Sequence, residues 1–505
     1  MNGDNIRKEF GDYQTPLYFA NRVCSYLSNS LNLHPETIIE PTAGMGAFIE
    51  ASVSQFESCK NLIGIEINSD YCKYCNDKFQ DERIHIINED FFKHDINKLS
   101  FNTKEVLVIG NPPWATNSEL NFNLPEKTNF KGLSGTDAIT GASNFDICEY
   151  IILNLIEDFK NTNTVIAMLC KTSVARNVFL EINRTSVDTD YVKMLNFNSN
   201  KVFGISASAC LLVIKLSDIE KKTNICEVAE FSEPNEIIST IKCKNGVLTN
   251  NLDNIMDFEG NSQFEWRQGV KHDCSSIMEL ETVDEQTYIN KKKQKISIEK
   301  ALVYPLIKSS GFKSCIINEK FKKSVIVTQK KIKEDTSYIK DLAPKTWRYL
   351  VDNKESFDRR KSSIYKGAPD FSMFGIGNYS YAEYKVGVSG FYKKPLFSLL
   401  YNKENLKQSV MVDDTSYFIS FDNYDDAYIC MVLLNNHYVQ DFLYSISFQD
   451  AKRPYTKRVL QRLDFKKVVE CISIHELEET EKILKLKKYL DQNMYTHFKK
   501  LVYAS

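Results

Sequence analysis

Several features that would mark an unusual chain are missing from this sequence. No apolar run approaches the roughly 18 residues that span a bilayer, and no signal-peptide pattern opens the chain. The 64 Lys and Arg residues nearly balance 66 Asp and Glu, and the net charge of −2 excludes a chain that is basic throughout. The 13 cysteines show no disulfide-like framework. We therefore expect a cytoplasmic protein with no membrane partner.

Two motifs with a defined chemistry are also missing. No Walker motif occurs, so ATP-driven movement is not supported. Cys72 and Cys75 have the spacing of half a zinc site, but no second Cys or His pair lies at a matching distance. We therefore predict no metal site and ordinary helix packing for both thiols. At 505 residues, the chain is too long for one ordinary domain.

The most informative stretch runs from Val106 to Trp114. Its first four residues are apolar and predict a short buried strand, which Gly110-Asn111-Pro112-Pro113-Trp114 ends at once. Because proline cannot continue a central strand, we predict a rigid loop at the carboxyl end of this strand, where open α/β sheets bind ligands. An Asn amide, prolyl carbonyls and an indole ring suit a planar, amino-bearing group such as adenine. The alternative is a strand-terminating turn with a packed Trp.

Three earlier predicted strands each lead to an acidic side chain. The first ends at Glu40 and enters the turn 44–46, whose two glycines let a bound molecule approach the backbone. The second ends at Glu66, the usual place for a carboxylate that binds the ribose hydroxyls of an adenosine. The third leads to Asp90 and Phe91, which suit an exocyclic amine and a ring face. With the strand before the Asn-Pro-Pro-Trp loop, these predict half of a doubly wound parallel sheet.

Other elements flank these four strands. Thr15 and Pro16 predict a helix start, with a hydroxyl cap and Pro at the first helical position, and a helix N-terminus suits a carboxylate ligand. Residues 132–145 are polar and rich in Gly, Ser and Thr, which predicts a loop where a lid over substrate would lie. A fifth strand over 164–169 and a hairpin formed by 201–206 and 209–216 complete the predicted sheet.

In this order, the elements resemble motifs X, I, II, III and IV of the γ-class N6-adenine DNA methyltransferases, in a TaqI-like arrangement, over residues 1–220. The matching residues are Thr15-Pro16, Glu40 to Gly46, Glu66, Asp90-Phe91 and Asn111-Pro112-Pro113-Trp114. The stretch 143–146 resembles motif V, and Phe203 stands where motif VIII has an aromatic residue. One departure is Thr42-Ala43, where many relatives have Ala-Cys or Ser-Cys.

The resemblance implies a Rossmann-like methyltransferase sheet and S-adenosylmethionine as cofactor. It implies that Glu40 meets the methionyl amino group, Thr15 the methionyl carboxylate, Glu66 the ribose and Asp90 the adenine amine. The cofactor site would be completed by Ala43, Gly44, Gly46 and Phe91. The catalytic set would be Asn111, Pro112, Pro113 and Trp114, which grip a flipped-out adenine of double-stranded DNA, with Trp114 and Phe203 stacked on the base.

The chain changes character after residue 221, where aromatic and basic residues begin to mix. We predict a catalytic domain over 1–221, an α+β target-recognition domain over 222–470 and a helical tail over 471–505. A basic surface with aromatics can track a phosphate backbone and hold unstacked bases. The candidate DNA contacts are Arg267, Lys271, Arg359, Arg360, Lys361, Tyr379, Lys385, Lys452 and Arg453. For any one of them, a solvated surface is the alternative.

The sequence thus predicts a site-specific adenine-N6 DNA methyltransferase of a restriction–modification or related system, with a possible cognate restriction endonuclease. Three alternatives stay open. Asn-Pro-Pro-aromatic motifs also serve enzymes that methylate glutamine amides. Pro369-Asp370 with Glu383-Tyr384-Lys385 matches the Pro-Asp…Glu-x-Lys pattern of metal-dependent nucleases, which would make the enzyme bifunctional. A non-catalytic DNA-binding protein is the third alternative.

Overall fold

The computed structural model describes residues 13–93, 105–114, 146–250, 255–284, 287–319 and 321–505. The predicted lid, residues 132–145, lies outside these ranges. The chain divides into two compact units, Met1–Asn251 and Leu252–Ser505. This division falls later than the boundary expected at 221, because three further strands continue the first sheet. No helix in the described ranges is long and apolar enough to cross a bilayer.

The first unit alternates strands and helices along the chain. Its strands are β1 (Thr37–Glu40), β2 (Asn61–Glu66), β3 (Ile84–Asn88), β4 (Val106–Gly110), β5 (Val165–Lys171), β6 (Thr189–Asn198), β7 (Ser208–Leu216), β8 (Ile225–Glu230), β9 (Ile237–Lys244) and β10 (Val247–Asn250). Its helices are α1 (Leu17–Ser25), α2 (Ala47–Gln55), α3 (Ser69–Lys78), α4 (Ile147–Phe159), α5 (Thr172–Thr185) and α6 (Ser199–Phe203).

All ten strands form one sheet in the order β10-β9-β8-β6-β7-β5-β4-β1-β2-β3. Strands β1 to β5 pair in parallel, and β7 runs antiparallel to both β5 and β6. Every residue of β1 and of β4 is buried, as expected for parallel strands covered on both faces. The doubly wound, Rossmann-like sheet is therefore confirmed. Its strand order reverses between β1 and β4, which places the ligand crevice at their carboxyl ends.

Two local predictions in this unit are corrected. The stretch 201–206 is not a strand: it contains the end of the short helix α6, whose cap Asn198 accepts a hydrogen bond from the Lys201 N–H at 3.1 Å. The strand that precedes β7 and forms the hairpin with it is instead β6, which ends before that helix. Helix α1 begins at Leu17 with an extended Pro16 as its cap residue, so Thr15 is not the hydroxyl cap.

The second unit contains strands β11 (Arg267–Gln268), β12 (Glu279–Thr282), β13 (Thr287–Asn290), β14 (Lys295–Ser297), β15 (Val303–Ile307), β16 (Ile316–Ile317), β17 (Ser324–Ile326), β18 (Tyr384–Ser389), β19 (Ser398–Leu400), β20 (Met411–Val412) and β21 (Ser416–Phe421). Its helices are α7 (Ser275–Met278), α8 (Ile339–Leu342), α9 (Pro344–Asp352), α10 (Lys354–Asp358), α11 (Tyr424–Leu434), α12 (His437–Ser445), α13 (Lys457–Leu460), α14 (Phe465–Cys471), α15 (Ile474–Ile483) and α16 (Gln492–Ala504).

These strands form two mostly antiparallel sheets, a five-stranded one in the order β11-β21-β18-β19-β16 and a six-stranded one in the order β14-β13-β12-β17-β15-β20. Helix α11 is buried from Asp426 to its end at Leu434. The residues expected to form a separate tail belong to the same core, where Leu477, Tyr495 and Phe498 pack with Trp266. The second unit therefore runs without a break to the last helix.

Candidate active site

The carboxyl ends of four parallel strands bring the sequence-predicted polar residues to one edge of the sheet. Glu40 ends β1 and Glu66 ends β2, Asp90 follows β3 by two residues, and Asn111 follows β4 directly. Parallel pairing of these strands puts all four positions on the same side. Residues from separate parts of the chain thus share one crevice because the sheet is parallel.

Glu40 is buried in an environment that disfavours its negative charge. Its side chain is only 3% exposed, and its Oε2 accepts a hydrogen bond from the Ile49 N–H at 3.1 Å. Burial raises the pKa of this carboxyl well above its ordinary value, and the nearby charge of Glu66 raises it further. A cation placed against Glu40 would relieve this cost. The site therefore fits an ammonium group such as that of a methionyl moiety.

The glycine turn between β1 and α2 is shaped by protein neighbours. Gly44 and Gly46 have φ values of +53° and +73°, which disfavour residues with a Cβ. A Cβ on Gly46 would lie 2.6 Å from the Phe79 ring, and one on Gly44 would lie 2.7 Å from the Gln14 Oε1. These protein neighbours require glycine at both positions, and a role of Gly44 and Gly46 in admitting a bound molecule stays a prediction. The turn is held tightly against the rest of the first unit.

Further contacts tie the turn to β2. The buried Ala43 donates its N–H to the Ile65 carbonyl at 2.8 Å. Glu66 accepts from the Gly44 N–H through Oε2 at 2.7 Å and from the Asn68 N–H through Oε1 at 2.8 Å. Each carboxylate oxygen has a second lone pair, so these bonds are compatible with contacts to ribose hydroxyls.

Asp90 and Phe91 lie in the turn that follows β3. The Asp90 Oδ1 accepts the Phe92 N–H at 3.1 Å, and its Oδ2 lies 3.8 Å from the Lys93 Nζ. Phe91 is 8% exposed and packs edge-on against Phe92. Thr15 is half-buried just before Pro16 at the start of α1. The cofactor roles of Asp90, Phe91 and Thr15 stay predictions.

Asn111 has a defined orientation and an unused acceptor. Its Nδ2 donates to the Tyr13 carbonyl at 2.7 Å, and because a carbonyl can only accept, this bond fixes which way the carboxamide points. The Asn111 Oδ1 is buried and has no hydrogen-bond partner among the described residues. No described backbone N–H donates to the Pro112 carbonyl either. Within the part of the chain that the structure describes, both acceptors at the end of β4 therefore lack a donor.

Trp114 belongs to an aromatic cluster. It is 5% exposed, and its Nε1 donates to the Leu169 carbonyl of β5 at 3.2 Å. The Tyr13 ring lies 6.3 Å from it at 54°, and the Phe203 ring lies 5.4 Å from it at 72°. Neither ring is parallel to the indole. The sequence did not predict a role for Tyr13. Its position two residues before Thr15 was the only local indication that it belongs to the site.

Seven of the candidate DNA contacts reach the surface of the second unit at least in part. The Arg267 guanidinium lies 4.4 Å from the centre of the Tyr379 ring, and that of Arg453 lies 5.0 Å from the Phe391 ring. Lys271 pairs with Asp273, and the exposed Arg359 pairs with Glu355. Lys361 and Lys452 are exposed.

Two candidates have structural roles that oppose phosphate binding. The half-buried Arg360 donates to the His272 and Ser372 carbonyls at 3.3 and 2.7 Å, and burial lowers the pKa of its guanidinium. Lys385 is 1% exposed, and its Nζ donates to the Ala382 carbonyl at 2.7 Å. Burial lowers the pKa of Lys385 to about 7. Lys385 therefore lies inside the second unit and does not reach a surface ligand.

Two residues of the nuclease-like pattern are held by other protein groups. Asp370 binds the Lys354 Nζ at 2.5 Å, while Lys385 is occupied by the Ala382 carbonyl. Within the described ranges, no group of three or more His, Cys, Asp or Glu residues could hold a metal ion. Cys72 and Cys75 lie on α3 and donate to the Glu66 and Gly44 carbonyls.

The second unit also contains a cleft of about 630 Å³ that the sequence did not predict. The Lys308 Nζ lies 2.7 Å from the Glu279 Oε1 and 3.3 Å from the Asp413 Oδ2, and burial lowers the pKa of the neighbouring His272. The lining also includes Asp414, Ser309, Thr415, Phe391 and Tyr392. These residues come from separate segments with no common motif, so no local pattern announces the cleft.

The strand order, the antiparallel β7 and the acid-ended strands beside an Asn-Pro-Pro loop define a class I S-adenosylmethionine-dependent methyltransferase. Residues 20–183 match the family model described as ribosomal RNA adenine dimethylase. The chain is 38% identical over 484 residues to the Type II methyltransferase M.NspV of Nostoc sp., covering 93% of this chain and 99% of that relative. The protein therefore belongs to the Type II methyltransferase family.

Two more distant likenesses accompany this one. The modification methylase CviBIII of Paramecium bursaria Chlorella virus NC1A is 21% identical over 58% of this chain and 73% of its own length. The crystal structure of the type IIG restriction endonuclease BpuSI is 13% identical, with a TM-score of 0.34 over 97% of this chain and 65% of that one. A likeness at that level assigns no activity to either unit.

Proposed function

We propose that this methyltransferase modifies the N6 amine of adenine at a specific site in double-stranded DNA, as a member of the γ class. The carrying observation is the Asn111 carboxamide, which is oriented by the Tyr13 carbonyl and keeps a buried Oδ1 without a partner among the described residues. An unsatisfied buried acceptor costs about 1–3 kcal/mol. A site that receives an amine N–H during each turnover explains why this acceptor is kept.

The acceptors suit the chemistry of an exocyclic amine. The N6 lone pair of adenine is delocalised into the ring, so the nitrogen is a poor nucleophile. If the Asn111 Oδ1 and the Pro112 carbonyl accept its two hydrogens, the nitrogen gains sp³ character and its lone pair becomes directed. Bound S-adenosylmethionine supplies the electrophilic methyl group. Orientation is then the main contribution of the protein, and the surplus proton of the methylated amine passes to solvent water after transfer.

The target base has to leave the helix to reach this crevice. Extrusion costs a few kcal/mol, and stacking on an aromatic ring returns about 1–3 kcal/mol. Trp114 and Phe203 are the rings available beside Asn111, and the Leu169 carbonyl fixes the indole. We assign the stacking role to these two rings, with Trp114 as the larger face.

The second unit is proposed to recognise the DNA sequence. Its surface carries guanidinium groups beside aromatic rings at Arg267–Tyr379 and Arg453–Phe391, a combination that suits phosphates and unstacked bases. Lys361 and Lys452 add exposed positive charge. We further propose a cognate restriction endonuclease as the partner of this methyltransferase.

Methylation of adenine in RNA is the second candidate. It is favoured by the match of residues 20–183 to a family model named for ribosomal RNA adenine dimethylases. The two candidates share the acceptor nitrogen and differ in the polymer. The M.NspV likeness, which runs through the second unit as well as the first, favours the Type II assignment.

The decisive experiment offers the purified protein several acceptors. Transfer of a radiolabelled methyl group from S-adenosylmethionine is measured on duplex DNA, on ribosomal RNA and on a glutamine-containing peptide, and long-read sequencing maps modified adenines in DNA. We expect N6-methyladenine at one short sequence in DNA alone. Methylation confined to RNA or peptide would refute the proposal, and magnesium-dependent DNA cleavage would reveal a bifunctional enzyme.

Asn111→Ala provides the matching variant. We expect loss of methyl transfer with cofactor and DNA binding largely retained, because the substitution removes one acceptor of the target amine while the assigned cofactor contacts and the DNA contacts of the second unit remain. Normal turnover with weakened cofactor binding would contradict the role given to Asn111. Binding is measured by calorimetry and turnover by the radiolabel assay.

A further inference from the structure

The segment before α1 contacts both loops of the proposed active site through neighbouring residues. The Tyr13 carbonyl accepts from the Asn111 Nδ2 at 2.7 Å, in the loop after β4. The next residue, Gln14, accepts through Oε1 from the Met45 N–H at 3.0 Å, in the glycine turn after β1. Two adjacent residues, Tyr13 and Gln14, therefore join the two loops, although these lie far apart in the sequence.

The contact with the glycine turn is close on both sides. The amide of Gln14 fills the space above Gly44, where a Cβ would lie 2.7 Å from Oε1 and 2.9 Å from Nε2. On its other side the turn is bound to Glu66, whose Oε2 accepts the Gly44 N–H at 2.7 Å. Gln14 is thus packed against a turn that β2 holds in place, and it can anchor the backbone before α1.

The hydrogen bond from Asn111 to the Tyr13 carbonyl decides which atom of the Asn111 carboxamide faces the amine to be methylated. A carboxamide rotated by half a turn would present an amino group where the reaction needs an acceptor. The Tyr13 carbonyl prevents this rotation because it can pair only with Nδ2. The carbonyl is a backbone atom, so its position depends on how the segment is anchored and not on the Tyr13 side chain.

We propose that Gln14 is a positioning residue for methyl transfer: by binding the Met45 N–H it anchors the Tyr13 carbonyl, which holds the Asn111 Oδ1 in its accepting orientation. This inference rests on the proposed function and deepens it. It gives the glycine turn after β1 a part in aligning the Asn111 side chain with the target amine. Gln14 itself acts through Tyr13 and Asn111 and does not touch the acceptor nitrogen.

The test compares Gln14→Ala with the wild type in single-turnover methyl transfer on DNA carrying the mapped site, at saturating cofactor. We expect the rate constant to fall about 10- to 100-fold, the cost of slight misplacement of reacting groups. Cofactor affinity should change by less than about 5-fold, the worth of one neutral hydrogen bond. A folding defect would lower the amplitude of the single turnover and leave its rate constant unchanged.

Two further variants sharpen the comparison. Gln14→Glu keeps an oxygen that can accept the Met45 N–H and should restore the rate constant to within about 5-fold of the wild type, the worth of one neutral hydrogen bond. Gln80→Ala removes an exposed Gln of the same unit and should match the wild type. A 2-aminopurine probe at the target position should report unchanged base extrusion in Gln14→Ala.

A wild-type rate constant in Gln14→Ala, or a loss confined to amplitude, would overturn the inference. So would failure of Gln14→Glu to recover any of the lost rate. If the wild-type protein methylates an acceptor other than adenine in DNA, the proposed function fails. The same variants can then be assayed on that acceptor. A lowered rate constant would still support the role of Gln14, and a lowered amplitude alone would still contradict it.

Discussion

At the scale of single residues, the site is built from groups held in costly states. Glu40 is a buried carboxyl whose pKa is raised by burial, and Asn111 keeps an acceptor without a described partner. Such states persist only where the surrounding structure enforces them, and they are enriched at functional sites. Glu40 and Asn111 therefore indicate a functional site more strongly than the neighbouring carboxylates of Glu66 and Asp90.

Glu40→Gln should weaken cofactor binding and stabilise the free protein. Loss of a buried charged partner for the methionyl ammonium should raise the Kd about 10- to 100-fold, equivalent to ~1.5–3 kcal/mol. Without cofactor, the amide removes a carboxyl that is expensive to ionise, so the melting temperature at neutral pH should rise. Calorimetry and thermal unfolding measure the two effects.

The pH dependence follows from the direction of the Glu40 shift. The unfolded state releases this proton at the ordinary carboxyl pKa and the folded free protein at a higher one. Glu40 therefore makes the free protein less stable as pH rises between these two values, whereas cofactor affinity rises over the same interval. Glu40→Gln should flatten both profiles. Glu57→Gln, an exposed control, should leave them unchanged, and an unaltered cofactor profile in Glu40→Gln would contradict the assignment.

At the scale of elements, the turn between β1 and α2 shows how packing and backbone conformation combine. Gly46 has a φ of +73°, and a Cβ there would meet the Phe79 ring on the chain just after α3. Helix α3 and the turn are thus fitted to each other, which keeps the end of β1 in register with β2. Gly46 is therefore required for the packing of the turn against Phe79, whether or not a ligand is bound.

Gly46→Ala should destabilise the first unit by more than Gly246→Ala. Both glycines have a φ of +73°, but nothing lies within 4 Å of a Cβ at Gly246. The control should lose only the conformational term, about 1–2 kcal/mol, while the clash with Phe79 adds to it at Gly46. Urea unfolding of the two variants measures the difference. Equal losses would show that Phe79 yields easily.

At the scale of the whole molecule, the boundary between the units decides which fragments can fold. Strands β8 to β10 belong to the first sheet, where β8 pairs in parallel with β6. A cut at the boundary expected from sequence would strip these strands and leave the long strand β6 as an open edge. Open, apolar edge strands are templates for aggregation.

A fragment of residues 1–251 should therefore fold and bind S-adenosylmethionine, whereas a fragment of residues 1–221 should aggregate. The longer fragment should lose specific DNA binding, because the proposed recognition unit is absent. Size-exclusion chromatography, calorimetry and a gel-shift assay report the three properties. A monomeric, cofactor-binding 1–221 fragment would show that β8 to β10 are dispensable for the sheet.

Much of the first unit could be predicted because its information is local. A β-branched strand, an acid at its end, a glycine turn and a proline pair each act through near neighbours in the chain. The predicted hairpin strand over 201–206 is wrong because the Asn198 side chain caps a helix there, although the composition of this stretch is strand-like. The sequence also predicts Lys385 as a DNA contact, whereas the folded chain buries it, and burial cannot be seen in the local sequence.

By itself, the sequence determined the sheet class, the order of its acidic strand ends and the Asn-Pro-Pro-Trp loop, since hydrophobic period and backbone restriction act over a few residues. Only the tertiary structure decided that Tyr13 orients Asn111, that Gln14 binds the glycine turn, and that Glu279, Lys308 and Asp413 meet around one cleft. These contacts join residues far apart in the chain, and only packing sets their distances and burial.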